Sequence, residues 1–439
     1  MRAAPGEHLY TPGKYSSYRI DRTNHINLLI SGEYALIYIP MSQTTVSLQP
    51  DDPGWRSAQG QRILQKFSPD QIRAMVTQHG SPLLILSLDT VRTQYETLKK
   101  LLPRVKHHYA LKPLPHVDVV RTLQSMDGYF DLATNGEADI MQRCKVDPSR
   151  TIHSHPIKRP SDVQYALDYG CKTFVFDNEY ELVKLAQFKD KVQWMMRLSF
   201  PNKEAQCDLS AKFGVMPEHS FDLLQKAVAA GFHVVGLSFH VGSQMKTPAK
   251  HIEAITFASE LVKRAREVGI DTLKILDLGG GWPVTYTEPT MPIEDFVAPI
   301  RECLDDLFAD FEIFSEPGRF IAGPSVTAIS SVIGKNVRYG QMLYYLDDGL
   351  YNSYSGILFD HGSYLIYSLK ELEYPEIHKE PATLGGPTCD SIDIMYRDIL
   401  MPHMELGDLM VSPVMGAYAG ASHATDFNFY MRPKMVVVE

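Results

Sequence analysis

The stretch from Val234 to Gly281, VVGLSFHVGSQMKTPAKHIEAITFASELVKRAREVGIDTLKILDLGGG, decides the fold. A short β-branched and apolar run at 234–239 leads into an amphipathic segment and then into a second apolar run at 273–277. Helical spacing held between two strand-like runs is the pattern of a parallel β-α-β unit. Both runs end in chemistry. Ser238-Phe239-His240-Val241-Gly242-Ser243 closes the first, and Asp277-Leu278-Gly279-Gly280-Gly281 closes the second.

The same rhythm extends in both directions. Strands are predicted near 107–111, 129–132, 151–154, 173–176, 192–198 and 311–314, which with the two above make eight in about 210 residues. That count predicts an α/β fold built on a (β/α)8 barrel rather than an open doubly wound sheet, with active residues at the C-terminal strand ends. A further apolar run, Leu83 to Leu86, precedes the eight, and before it Ser68-Pro69-Asp70-Gln71 reads as a helix start with a capping box, stopped by Gly80. Leu28 to Ile39 reads as a strand pair around Ser31-Gly32. After about residue 325 the runs Met342 to Leu346, Leu409 to Val411 and Lys434 to Val438 are separated by Gly, Pro and Asp clusters, which predicts a mostly β second domain. The expected division is an N-terminal extension at 1–65 whose strands pack on the β domain, a barrel at 66–322 and a β-rich domain at 323–439.

Composition narrows the functional classes. In 439 residues, 43 Lys and Arg against 52 Asp and Glu leave a net charge of −9, which argues against a nucleic-acid backbone or an anionic membrane as partner. Five cysteines, Cys144, Cys171, Cys207, Cys303 and Cys389, form an odd set without CxxC spacing and fit reduced thiols. No run reaches the ~18 apolar residues of a membrane span, and the first residues lack a compact apolar leader. The expectation is a soluble cytoplasmic protein acting on a small molecule, with no nucleic acid and no membrane. Paired His107-His108 and His153-Ser154-His155 lack a matching ligand set, so no metal is expected.

At the strand ends, Lys112 closes Tyr109-Ala110-Leu111-Lys112, where partial desolvation would lower its pKa and make a nucleophilic amine. A snorkelling surface lysine is the plainer alternative. Gly279-Gly280-Gly281 can bring backbone N–H groups close to an anion, with Ser243 and Arg319 as further phosphate ligands; a tight turn is the ordinary reading of such glycines. His240 suits stacking on an aromatic cofactor or a structural role, and Glu316 suits either a cap or a pyridine nitrogen. Asp131 and Arg197 read equally as a structural ion pair. In the second domain, Cys389, Asp390, Asp360 and Tyr418 each admit a purely structural reading.

Together these residues resemble a known family, the fold-type III pyridoxal-phosphate decarboxylases, and within it the ornithine/lysine decarboxylases. The matching motifs are YALK ending at Lys112, HVGS from His240, DLGGG from Asp277, EPGR from Glu316, GPTCD from Gly386 to Asp390, and GAY from Gly416 to Tyr418. They occur in the family's order and cover roughly residues 65–439. The resemblance implies an alanine racemase-like fold and pyridoxal 5′-phosphate as cofactor. It implies that Lys112 bonds the cofactor aldehyde and His240 stacks on the ring. Ser243, Gly281, Arg319 and Tyr418 would hold the phosphate, while Gly280 and Gly318 shape the loops. Glu316 would bind the ring nitrogen, and Asp131 and Arg197 would line the site. Racemases of similar fold place an arginine opposite that nitrogen, so a carboxylate favours a decarboxylase.

The resemblance also implies that Cys389 donates the proton that replaces CO2, and that Asp390 with Asp360 receives the distal ammonium of ornithine or lysine. Phe359 stands near the substrate tail, where ornithine decarboxylases usually carry tyrosine. Homodimers with shared sites would be the working assembly, Cys389 and Asp390 serving the partner's Lys112. The alternatives are a decarboxylase of a modified or D-configured diamino acid and a non-catalytic regulator; the retained Lys112, His240, Glu316, Arg319 and Cys389 argue against the latter.

Overall fold

The computed structural model describes residues 53–202, 205, 208–422 and 427–439, together with three strands nearer the N-terminus. Those strands, β1 (Tyr18–Ile20), β2 (His25–Ile30) and β3 (Glu33–Tyr38), form an antiparallel sheet in the order β1-β2-β3. The β2–β3 pair runs from His25↔Tyr38 to Ile30↔Glu33, the hairpin expected around Ser31-Gly32. This sheet lies in a unit spanning Met1–Thr45, and the remainder, Val46–Glu439, forms a second unit. Cys207 lies outside the described residues.

The second unit opens with a helix, Pro53–Lys66, where the sequence suggested no helix before Ser68. Two internal glycines depress its intrinsic propensity, and tertiary contacts override them. Trp55 Nε1 donates to Thr287 O at 3.0 Å, Arg56 pairs with Glu371 at 2.8 Å, and the Arg56 guanidinium sits 4.3 Å from the Tyr367 ring centre. The helix that follows, Pro69–His79, has the expected capping box of Ser68 and Gln71 and ends at Gly80. β4 (Leu83–Ser87) is the apolar run ahead of the eight.

The eight are β5 (Val105–Ala110), β6 (Tyr129–Leu132), β7 (Thr151–His153), β8 (Thr173–Phe176), β9 (Gln193–Leu198), β10 (Val234–Phe239), β11 (Ile275–Asp277) and β12 (Glu312–Ser315). All pair in parallel and the ring closes through β12 and β5, with Ser315 opposite His107. Ile152, Val175, Met195, Val235, Ile275 and Phe314, one from each of β7 to β12, form a separate apolar cluster that fills the barrel. Because strand side chains repeat every two residues, stepping two positions on from five of these gives Ser154, Asp177, Arg197, Asp277 and Glu316. An apolar floor thus lies under a polar layer at the C-terminal ends, which is where this architecture places chemistry.

The second sheet is built from β13 (Val326–Arg338), β14 (Gln341–Leu346), β15 (Tyr367–Ser368), β16 (Lys379–Gly385), β17 (Ile394–Pro402), β18 (Leu409–Ser412) and β19 (Lys434–Val438). β4 joins it, antiparallel to β13 and parallel to β19, so a strand preceding the barrel in sequence belongs to the sheet that follows it. β4 is buried at every residue but its last, consistent with a central strand.

Candidate active site

Lys112 lies two residues beyond β5, in the turn that follows it. Its Nζ is 3.9 Å from Asp131 Oδ2, and the Asp131 side chain is 2 % exposed. The sequence led to the expectation of a lowered lysine pKa. The structure reverses the sign: burial pulls the ammonium down, but the Asp131 and Glu316 carboxylates outweigh it and hold the value above the ordinary one. Asp131 in turn is pushed well up, by burial first and by Glu316 second, with Lys112 opposing. Its Oδ1 is buried without a hydrogen-bond partner among the described residues.

Lys112 faces a small cavity shared with His240, Ser243, Gly280, Gly281, Glu316, Gly318, Arg319 and Tyr418. Nine residues that the sequence singled out are therefore brought together by the ends of β5, β10, β11 and β12 and by a loop of the second domain. Trp282 and Phe320 complete the wall. His240 is half-buried, and its pKa is driven far down, by loss of solvent first and then by Lys112 and Arg197. Its Nδ1 accepts from Gly242 N–H at 3.2 Å, so the neutral ring carries its proton on Nε2. Arg197 reaches the same electrostatic neighbourhood and lies 5.4 Å from the Phe213 ring centre.

The glycines here are required by space. A Cβ on Gly281, whose φ is +100°, would come within 2.6 Å of Gly242 O, and one on Gly280 would meet Glu316 O and His240 Nε2, each at 3.0 Å. The loop is pinned from behind by His251, a residue the sequence reading passed over. His251 Nε2 lies 3.1 Å from Gly280 O and its ring stacks on Trp282 at 5.2 Å. Burial lowers its pKa to about 4, so it stays a neutral donor.

Opposite Lys112, Arg319 is nearly enclosed and fixed by three partners. Nε donates to Ser243 Oγ at 3.2 Å, one terminal nitrogen donates to Tyr286 Oη at 3.1 Å, and the other lies 2.6 Å from Asp360 Oδ2. Its guanidinium is 4.9 Å from the Tyr418 ring centre. Tyr286 carries no motif that would have marked it. Asp277 was visible in the sequence as part of DLGGG, yet its role emerges only here. It is fully buried, accepts Gly279 N–H at 2.9 Å, and is pushed well up in pKa by burial and then by Glu316.

Six of the sequence-derived residues do not line this cavity: Asp131 and Arg197, placed beside it above, and Asp360, Phe359, Cys389 and Asp390. Asp360 is engaged by Arg319 of its own chain. Phe359 is 62 % exposed. Cys389 is exposed, its backbone N–H donating to Asn428 Oδ1 at 3.0 Å. Asp390 accepts from the Tyr351 hydroxyl, which with the Ile392 N–H lowers its pKa. Tyr351 stacks on Phe427 at 4.4 Å. Cys389 and Asp390, with Tyr351, Phe427 and Asn428, form a second cluster at the surface of the β domain. Among the described residues no group of His, Cys, Asp and Glu is arranged to hold a metal ion, and no helix is long and apolar enough to cross a membrane.

Pyridoxal phosphate fits the enclosed cavity on its own terms. It offers an amine for the aldehyde, a flat neutral imidazole, a buried carboxylate at one end, and at the other an arginine, a hydroxyl and glycine backbone for a phosphate. Comparison with known proteins agrees. Residues 88–323 match the model of the pyridoxal-dependent decarboxylases, pyridoxal binding domain. The chain is 35 % identical to a lysine/ornithine decarboxylase of Selenomonas ruminantium, over 84 % of this chain and 93 % of that one. It is 32 % identical to an ornithine decarboxylase of Caenorhabditis elegans, over 81 % and 87 %. The crystal structure of a lysine/ornithine decarboxylase from Vibrio vulnificus, complexed with putrescine, superposes with a TM-score of 0.79 at 44 % identity, covering 84 % of this chain and 98 % of that one. A pyridoxal-phosphate site at the mouth of a closed barrel, in a chain that matches the family along most of its length, makes this protein a member of the fold-type III pyridoxal-phosphate-dependent ornithine/lysine decarboxylase family.

Proposed function

We propose that this chain decarboxylates ornithine and lysine to the corresponding diamines, in a homodimer whose two sites each combine the barrel mouth of one subunit with the Cys389–Asp390 loop of the other. The observation that carries the reading is Lys112 beside Asp131 and Glu316, facing a cavity whose far wall is Arg319 and Ser243. When bound, pyridoxal phosphate supplies an electron sink for the pair left behind as CO2 departs. The chain's own residues do the rest.

Lys112 provides the amine that holds the cofactor covalently and gives way to the substrate amine. Its neighbouring carboxylates favour the protonated amine, so they would help Lys112 take up the proton that the incoming substrate ammonium must give up. Glu316 would hold the ring nitrogen of the cofactor and keep a proton on it. His240, neutral and held by the Gly242 N–H, would cover one ring face, and Gly280, Gly281, Ser243, Arg319 and Tyr418 would hold the phosphate. Gly318, where a Cβ would lie 2.7 Å from Pro113, keeps the β12 loop against the Lys112 turn, and Asp131 and Arg197 set the field around it. The partner's Cys389 delivers a proton from Sγ to the carbon that lost CO2.

The partner's Asp390 receives the distal ammonium, a charged hydrogen bond contributing about 1.5–3 kcal/mol. Asp360, engaged by Arg319, adds a second and weaker negative field, and Phe359 offers an apolar surface to the methylene chain. The relatives named above act on lysine and ornithine by name, which supports the same pair of substrates here. A panel of free amino acids scored by CO2 release and amine product tests the assignment. Turnover of ornithine or lysine well above all others is expected. Preference for a D-amino acid or an acidic substrate would overturn it.

A further inference from the structure

A second cavity, of about 480 Å³, opens against the turn that carries Arg319. One wall is the helix Pro53–Lys66, which presents Gln59, Arg62, Ile63 and Lys66; across from it stand Met291 and Phe320. Arg62 and Lys66 are four residues apart and so lie on one helical face, one turn from each other. Like charges at that spacing oppose folding. Among the described residues neither forms an ion pair, and Lys66 Nζ meets only the uncharged Thr90 Oγ1 at 3.3 Å and Pro324 O at 3.5 Å. Partial burial lowers the Lys66 pKa. Gln59 Nε2, on the same wall, is buried without a hydrogen-bond partner among the described residues. Among the described residues, the sole acid lining the cavity is Glu294.

Two cations without an ion-pair partner among the described residues and an orphaned amide donor converge on a hollow of the size small ligands occupy. We propose that this cavity binds a small anionic metabolite, its phosphate or dicarboxylate group between Arg62 and Lys66 with Gln59 donating to it, and its body against Ile63, Met291 and Phe320. The site is separate from the catalytic cavity yet not insulated from it. Phe320 lines both, Gln94 Nε2 donates to Phe320 O at 2.8 Å, and Lys66 reaches Pro324 O. Both contacts grip the turn that bears Arg319, so occupancy of one cavity and the hold on the cofactor phosphate in the other are linked, and any such linkage is reciprocal.

Calorimetric titration of the holoenzyme, whose catalytic phosphate site is filled, tests this with inorganic phosphate and with succinate in separate arms. Saturable binding with Kd below about 1 mM is expected for at least one probe. Phosphate alone would identify a phosphorylated metabolite, succinate alone a dicarboxylate. Arg62→Gln and Lys66→Gln should each weaken binding about tenfold, while Glu294→Gln, which removes a repelling charge, should tighten it about threefold. A gain of affinity cannot come from a misfolded variant. Rates at saturating substrate should be unchanged in all three. Failure of both probes to saturate by about 10 mM, or affinities indifferent to all three substitutions, would overturn the proposal.

Discussion

Lys112 and Cys389 stand in opposite surroundings. Around Lys112 the groups are buried and mostly held by one another: Asp131 is 2 % exposed, His240 takes a backbone N–H, Arg319 has three partners, and the glycines leave no room for a side chain. Around Cys389 the groups face water. Ile392 is 54 % exposed and Phe429 87 %, and the bond between Tyr351 and Asp390 lies at the surface. A preorganised pocket works by having its dipoles fixed before the reaction, at the expense of buried charge. An acid and a thiol amid exposed aromatic surface cannot exclude water alone, which is the condition of a surface that a partner covers. The contrast is therefore between a half-site finished within the chain and one that, on the proposed reading, a second copy would complete.

The largest effect should come from the finished half. Lys112→Ala should lower kcat at least about a thousandfold and abolish the absorbance near ~420 nm expected of a lysine-bound cofactor. Persistence of that band would place the covalent link elsewhere and break the comparison at its root.

The exposed half should answer differently. Asp390→Ala should leave that band intact and raise KM for ornithine or lysine by roughly tenfold, the equivalent of about 1.5 kcal/mol. An unchanged KM would mean that the distal ammonium is met by another group, and Asp360 would be the first to examine. Smaller still, Tyr286→Phe removes one of the three holds on Arg319 and leaves two in place, so it should weaken cofactor affinity about fivefold, the equivalent of about 1 kcal/mol, with KM for the amino acid unmoved. A shift in KM instead would tie Tyr286 to the exposed half.

Much of this was legible in the chain because the signals are local. The capping box at Ser68 and Gln71 is a four-residue pattern, and the strands of the barrel end where apolar runs give way to glycine, proline or charge. The contacts that escaped are those made between distant segments. Tyr286 meets Arg319 only because the loop after β11 folds against the turn after β12, and Asp277 feels Glu316 because those strands are neighbours in the ring. The sign of the Lys112 shift was lost for the same reason. Burial can be guessed from an apolar strand, whereas the opposing carboxylates arrive from β6 and β12. The Asp360–Arg319 pair likewise joins the two domains, and the sequence shows the acid without its partner.

Mixing two inactive variants tests the central claim most directly. Lys112→Ala keeps the surface loop and loses the barrel amine; Cys389→Ala does the reverse. If each site draws Lys112 from one subunit and Cys389 from the other, co-assembled variants at equal amounts regain about a quarter of wild-type activity, since half the dimers are mixed and each holds one intact site. Activity of the mixture no greater than the mean of the two variants alone would contradict a site shared between chains.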